Sequence, residues 1–244
     1  MLSPQEMAGL NARFAAAPAE EILGWAWDRF GSRAAIGTSF QGAGLVLMHL
    51  ARTQGLGFPL FTIDTGLLFS ETLELKARLE AFLGRPIASL VPDLSVAAQA
   101  AAHGPELWRR DPDLCCTLRK VLPLRDRLNQ LDAWLTGLRR EQSESRAEIG
   151  IVELYSLEDP DPSGGVSRGI VKLNPLAGWS RDAVWEYLHR HGVPTHPLHA
   201  QGYRSIGCHP CTVKAADGGS ERAGRWIGFN KTECGIHTFL RPRA

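Results

Sequence analysis

The sequence has almost no excess charge of either sign. Lysine and arginine number 27 against 26 aspartates and glutamates, a formal net charge of +1. So balanced a total argues against a general polyanion binder, although a local basic patch is compatible with it. Long hydrophobic runs are also missing. The longest apolar stretch, around Gly44 to Leu50, is far short of a membrane span. The N-terminal segment is amphipathic and carries Glu6, Glu20 and Glu21, with no basic start leading into an apolar run, so no secretory signal is expected. Internal repeats and low-complexity tracts are absent. Cysteine is scarce, five in 244 residues, too few for a disulfide scaffold of this size. A reducing cytosol is the expected compartment, and there clustered thiols serve as metal or redox ligands rather than disulfides. Five is also odd: a closed set of four leaves one over.

What is present suits a folded α/β domain. Hydrophobic residues make up 44% and charged residues 22%, which excludes long disorder. Residues 5–30 predict one or two helices. Strand patterns at 33–40, 58–64, 86–92 and 133–140 alternate with helical ones at 42–53, 70–84 and 116–131, where Pro123 must interrupt or kink the last. The segments IVELYS and GIVKLNPL flank a Pro/Gly/Asp-rich turn (158–169) and predict a hairpin. Residues 180–192 predict a helix capped by Ser180. After Val193 the chain reads as irregular. Such alternation predicts a parallel sheet covered by helices.

Five features carry chemistry. The turn Thr38-Ser39-Phe40-Gln41-Gly42-Ala43-Gly44 joins a strand to a helix and can present backbone N–H groups to a phosphate. It is not a Walker A loop, because the G-K-[ST] ending is missing. Asp64-Thr65-Gly66 ends the second strand, where α/β sheets bind ligands; a plain turn with Ser70 as cap is the bland alternative. Cys115-Cys116 and Cys208-His209-Pro210-Cys211 supply two thiol pairs. Zinc and an iron–sulfur cluster are both open to them, with a slight geometric preference for a cubane, which offers separate irons to adjacent thiolates. Cys234 stands alone in Lys231-Thr232-Glu233-Cys234-Gly235-Ile236-His237, a short tail expected to be mobile. Lys231, His237 and Arg241 nearby would favour its thiolate, the nucleophilic form. Arg119, Lys120, Arg139, Arg140, Arg222 and Arg225 also lie near these motifs and suit phosphate or sulfate oxygens.

From about residue 30 to 238 the chain resembles the adenylylsulfate (APS) reductases of the PAPS/APS reductase family. The resemblance rests on TSF (38–40), DTGLLFSET (64–72), CCTLRK (115–120), TGLRREQS (136–143), NPLAGWSRDAVWEYL (174–188), the run from Pro194 to Thr212 and KTECGIH (231–237). It implies an adenine-nucleotide α-hydrolase-like fold, related to the PP-loop enzymes: a mostly parallel sheet flanked by helices, with an irregular C-terminal segment. Residues 1–200 would form the nucleotide-binding part, and 201–244 the cluster-binding loop and catalytic tail of the same domain. It implies a [4Fe–4S] cluster on Cys115, Cys116, Cys208 and Cys211, and Cys234 as the residue that attacks sulfur. Ser39, Lys120, Arg139, Arg222, Arg225 and His237 would meet the substrate, adenosine 5′-phosphosulfate. Thioredoxin or glutaredoxin would be the reductant, in cytoplasmic sulfate assimilation and cysteine biosynthesis. No nucleic acid or membrane partner is expected; the family is commonly oligomeric. Alternatives are reduction of PAPS or of both nucleotides and, more remotely, a zinc-stabilised nucleotide-binding module. An ATP pyrophosphatase would need an S-G-G-K-D-S-type loop, which this chain lacks.

Overall fold

Side chains on successive strand residues point to opposite faces, and the central strands follow that rule with apolar residues on both. In β1 (Ala34–Gly37), Ala34 and Ile36 enter one hydrophobic cluster and Ala35 the other. In β2 (Leu60–Ile63), Leu60 and Phe61 divide the same way. In β4 (Ala133–Leu135), Ala133 and Leu135 oppose Trp134. Strands buried on both faces require helices on both, which the computed structural model supplies. It describes residues 2–157, 169–215, 221–229, 231, 233–237 and 241–242.

The helices are α1 (Pro4–Phe14), α2 (Ala19–Phe30), α3 (Gly42–Thr53), α4 (Ser70–Leu83), α5 (Val96–His103), α6 (Leu107–Arg110), α7 (Pro112–Cys116), α8 (Leu122–Leu128) and α9 (Arg181–Arg190). The remaining strands are β3 (Ala88–Leu90), β5 (Val152–Ser156), β6 (Gly169–Leu173) and β7 (Arg241–Pro242). The sheet order is β3-β2-β1-β4-β6-β5-β7. The β1–β2, β2–β3, β1–β4 and β4–β6 pairs are parallel; β5 pairs antiparallel with β6 and β7. The chain therefore builds outward from β1 to β3, then returns to the other side of β1 with β4. That reversal opens a crevice beyond the carboxyl ends of β1 and β4.

The expected alternation is present, and Ser180 caps α9 by accepting from the Ala183 N–H at 3.0 Å. β5 and β6 pair as the expected hairpin, whose turn at 158–168 lies outside the described residues. The helix expected over 116–131 is broken. α7 ends at Cys116, a π-helical turn covers Thr117–Val121, and Pro123 falls in the first turn of α8, where its missing N–H costs least. The short helices α5 to α7 are additions to the sequence pattern; caps set α5, where Ser95 accepts from Ala98 N–H, and α7, where Asp111 accepts from Leu114 N–H. Among the described residues no helix is long and apolar enough to cross a membrane.

The irregular C-terminal region is fastened to this frame by His196. Its Nδ1 accepts from the Leu198 N–H at 3.3 Å, so Nε2 carries the proton and donates to Thr72 on α4 at 2.9 Å. Burial, with nearby His199, holds its pKa down to about 4. The unfolded chain takes up a proton below the ordinary value of 6.5 that the folded chain refuses. This contribution is therefore complete above that value and drains away as pH falls towards the folded pKa, by at most about 3 kcal/mol. Urea unfolding at pH 7 and pH 5 should show that loss. His196→Gln, which keeps a donor for Thr72, should flatten it.

Candidate active site

The crevice at the strand switch point encloses about 180 Å³. Gly37 to Gln41, Thr136 to Leu138 and the ends of β2 form its floor, and Arg146, Ile206, Arg222, Arg225, Cys234 and His237 reach it from later segments. The floor depends on close backbone approach. A Cβ on Gly44 would lie 2.6 Å from Thr38 Oγ1, and one on Gly137 2.6 Å from the Gly44 nitrogen. Phe40 takes a positive φ of 57° while its N–H donates to Thr38 Oγ1 at 2.9 Å. Gln41 is the N-cap of α3, but its side chain is spent elsewhere. It donates to Ile206 O at 3.1 Å and accepts from Ile206 N at 3.3 Å, tying the C-terminal segment over the turn. Ser39 lies exposed in the cleft lining. One side of the cleft is apolar, with Phe61, Ile63, Leu124 and Trp134.

A second, smaller cavity lies against the first. Cys115, Cys116, Cys208 and Cys211 all line it, with Leu67, Trp108, Pro112, Arg119 and Lys120. Thus the two thiol pairs meet, although 92 residues separate Cys116 from Cys208. The meeting is built from backbone: Leu68 bridges Cys208, and the His209 N–H donates to Leu67 O at 2.7 Å. The sulfurs have polar neighbours. Thr65 Oγ1 lies 3.3 Å from Cys208 Sγ, Gln99 Nε2 donates to Cys115 Sγ at 3.8 Å, and Lys120 Nζ to Cys116 Sγ at 3.7 Å. All five cysteines are free thiols. Among the described residues, no three His, Cys, Asp or Glu side chains close on a single metal-ion position. Trp108 Nε1 is buried in the cavity wall without a hydrogen-bond partner.

Lys120 belongs to both cavities. Burial alone would lower its pKa, but the thiols of Cys208, Cys234 and Cys116 reverse that and the net shift is upward. Cys234 shows the reciprocal effect. Burial alone would raise its thiol; Lys120, the Ile236 N–H, Arg225 and Arg222 outweigh it, and the net shift is downward. Burial raises Cys115 and Cys116, and pushes Cys211 up to about 11. As free thiols, then, these three are held protonated while Cys234 is pushed towards the nucleophilic thiolate.

Arg222 and Arg225 line the cleft from a turn. They sit over the ring of Trp226 at 5.3 and 4.5 Å. Arg225 also donates to Cys211 O at 3.2 Å. Arg119 is a strut behind the cysteines, donating to Thr65 O and Gln99 Oε1. Three expectations need correction. Arg139 does not line the cleft: its guanidinium, 2% exposed, clamps Glu221 through two hydrogen bonds of 2.9 and 2.8 Å. His237 does enter the cleft, but as a neutral ring. It stacks on Trp134 at 5.2 Å, and burial, with Lys172, Arg146 and Arg222 nearby, holds its pKa well below the usual value. Lys231 is paired with Asp113 and lies over Trp226. The cations acting on Cys234 are therefore Lys120, Arg225 and Arg222; the Arg241 side chain lies outside the described residues.

One residue that the pattern did not single out completes the site. Arg146 lines the cleft and forks onto Glu233, the neighbour of Cys234, at 3.0 and 2.8 Å. Only its position three residues after the Arg-Glu-Gln-Ser run could have drawn attention to it. The tail expected to be mobile is docked, with Cys234, Ile236 and His237 in the cleft wall.

A crevice at a sheet's switch point, beside an apolar shelf and under cations, is where open α/β sheets take ligands, and known structures share this fold. Yeast FAD synthetase, 13% identical, superposes with a TM-score of 0.52 over 88% of this chain and 70% of its own, a likeness of fold. The phosphoadenylyl-sulfate (PAPS) reductase of Candida auris, 28% identical, gives 0.70 over 87% and 98%. Residues 33–214 match the phosphoadenosine phosphosulfate reductase domain, and the chain belongs to that family. Among its relatives, the adenosine 5'-phosphosulfate reductase of Salinibacter ruber is 44% identical over 97% of this chain and 90% of its own. That of Streptomyces coelicolor is 44% identical over 91% and 89%.

Two outcomes follow from this geometry. Lys120→Met should move the pH midpoint of Cys234 alkylation upward, measured by peptide mass spectrometry. A Cβ on Gly207 would lie 2.4 Å from both Arg225 terminal nitrogens. Gly207→Ala should therefore displace that guanidinium and weaken inorganic sulfate binding about tenfold, the worth of one charged hydrogen bond, with little change in Tm.

Proposed function

We propose that the chain reduces adenosine 5′-phosphosulfate to sulfite and AMP through the Cys234 thiol, in assimilatory sulfate reduction. The observation that carries this reading is the lowered Cys234 thiol facing a cleft whose cations are Lys120, Arg146, Arg222 and Arg225. Relatives at 44% identity carry that activity in their names, and they cover nearly all of this chain.

In this reading the apolar shelf of Phe61, Ile63, Leu124 and Trp134 takes the adenine, and the cations take the phosphosulfate. The Cys234 thiolate attacks sulfur. A sulfur–sulfur bond forms, the sulfur–oxygen bond to phosphate breaks, and its electron pair leaves on AMP. The product on the enzyme is an S-sulfocysteine. A dithiol protein of the thioredoxin or glutaredoxin type then attacks Cys234 Sγ, and sulfite departs with the bonding pair. The second thiol of the donor resolves the mixed disulfide and restores Cys234. The donor is oxidised by two electrons and the sulfur reduced by two. Lys120 and the guanidinium groups stabilise the charge that grows on the phosphate oxygen.

Cys115, Cys116, Cys208 and Cys211 would hold a [4Fe–4S] cluster. Four free thiols share one cavity, an indole N–H in its wall has no protein partner, and the sulfurs do not close on one ion position. A lone zinc needs four sulfurs about 2.3 Å from one centre, whereas a cubane presents an iron to each thiolate. When bound, the cluster supplies a compact anionic centre that ties the two loops together. Lys120 offsets its charge towards the substrate. Free thiols throughout suit a cytoplasmic protein.

Iron and acid-labile sulfide near four each per chain are expected in anaerobically purified protein; stoichiometric zinc without iron would remove the cluster. After APS addition, intact mass should rise by one sulfonate, located on Cys234. Cys234→Ser should bind APS and gain no mass; an adduct on another cysteine would refute the assignment. Comparing kcat/KM for APS and PAPS should favour APS.

A further inference from the structure

Four cations line the cleft, and two of them already hold an anion from the protein itself. Arg146 donates from Nε and Nη2 to the two oxygens of Glu233 at 3.0 and 2.8 Å, and Arg222 Nη2 lies 3.3 Å from the second oxygen. The three side chains are 10, 19 and 13% exposed. One carboxylate thus sits between two desolvated guanidinium groups. We infer that Glu233 is an internal stand-in for the acidic group of the ligand: it occupies the Arg146–Arg222 pair until an incoming sulfate or phosphosulfate displaces it, and its departure repositions Cys234.

The partners of each group make the carboxylate the exchangeable member. Arg146 has a second anchor, its Nη1 donating to Gln142 Oε1 at 2.6 Å. Arg222 has another in the Trp226 ring at 5.3 Å. Both guanidinium groups can therefore keep their places when the carboxylate goes. They cannot remain buried without an anion, because an uncompensated buried charge is strongly unfavourable. Exchange of one anion for another meets that requirement, and a doubly charged ligand meets it better than one carboxylate does. Lys172, buried nearby, is paired with Glu153 at 3.3 Å and so does not compete with the two guanidinium groups for Glu233. Glu233 and Cys234 are consecutive, and their Cα atoms stay about 3.8 Å apart. The carboxylate anchors the residue next to the thiol, so its release frees the backbone that carries Cys234 to shift. Arrival of the anion and presentation of the nucleophile become one event.

The identity of the natural anion rests on the reductase reading, whereas the exchange itself does not, so the test uses inorganic sulfate. Sulfate binding to the full chain by calorimetry should tighten severalfold in Glu233→Gln, because the competitor is gone, and change less in Glu233→Asp. Unchanged or weaker binding in Glu233→Gln would overturn the exchange, since a mere clamp would loosen the cleft when cut. In the same variant KM for APS should fall together with kcat, as binding improves and the thiol loses its guide; a rise in KM would count against it. The wild-type protein provides an arm that needs no variant. Sulfate should accelerate alkylation of Cys234 relative to chloride at equal ionic strength, and no acceleration would sink the proposal. If sulfate exchange holds but APS is never turned over, the reductase reading falls and the exchange stands.

Discussion

An ammonium group buried between two cavities is the constraint around which this molecule is organised. Lys120 forms part of the wall that the cleft and the cysteine cavity share. A lysine in such a place, without anions, would give up its proton. It keeps it because sulfurs that favour its charged form arrive from three separate segments: Cys208 on the loop, Cys234 on the tail and, with the smallest effect, Cys116 on α7. Each arrival needs its own fastening, and much of the irregular C-terminal chain consists of such fastenings. The Leu68–Cys208 bridge, the Gln41–Ile206 pair and the His196–Thr72 bond all draw that chain against the sheet. The π-helical turn that carries Lys120 follows directly on the helix carrying Cys115 and Cys116.

The same cation separates four of the cysteines into two behaviours. Burial acts on Cys115, Cys116, Cys211 and Cys234 with one sign, towards the neutral thiol. Only Cys234 has enough positive charge close by to reverse it. Its difference from the others is electrostatic and owes little to its local sequence: apart from the Ile236 N–H, the groups that lower it are cations 114, 9 and 12 residues away along the chain.

That distance marks how far the sequence could be read. Strands β1, β2 and β4 and helices α3, α4 and α9 were legible because periodicity and caps are local properties. The five cysteines were legible because spacing and chemistry single them out. The switch point was not, since which strand lies beside β1 depends on the whole sheet. Nor could the sequence rank its cations. Arg139 and Arg146 lie seven residues apart, yet one is sealed against Glu221 and the other faces the cleft. His237 reads as a base in any sequence; only its burial against Trp134 makes it a neutral ring. Glu233, an acid in a tail of basic residues, acquires a role only from the two guanidinium groups it meets.

The last strand of the sheet has a consequence for reach. β7 adds to the outer edge of β5, pairing Ser156 with Arg241 and Tyr155 with Pro242. Cys234 is seven residues upstream of that ladder. While β7 stays paired, the connecting chain can extend no more than about 25 Å, so the Cys234 thiol is held on a short mooring line. Any molecule that reacts with this thiol has to come within that reach of the sheet edge.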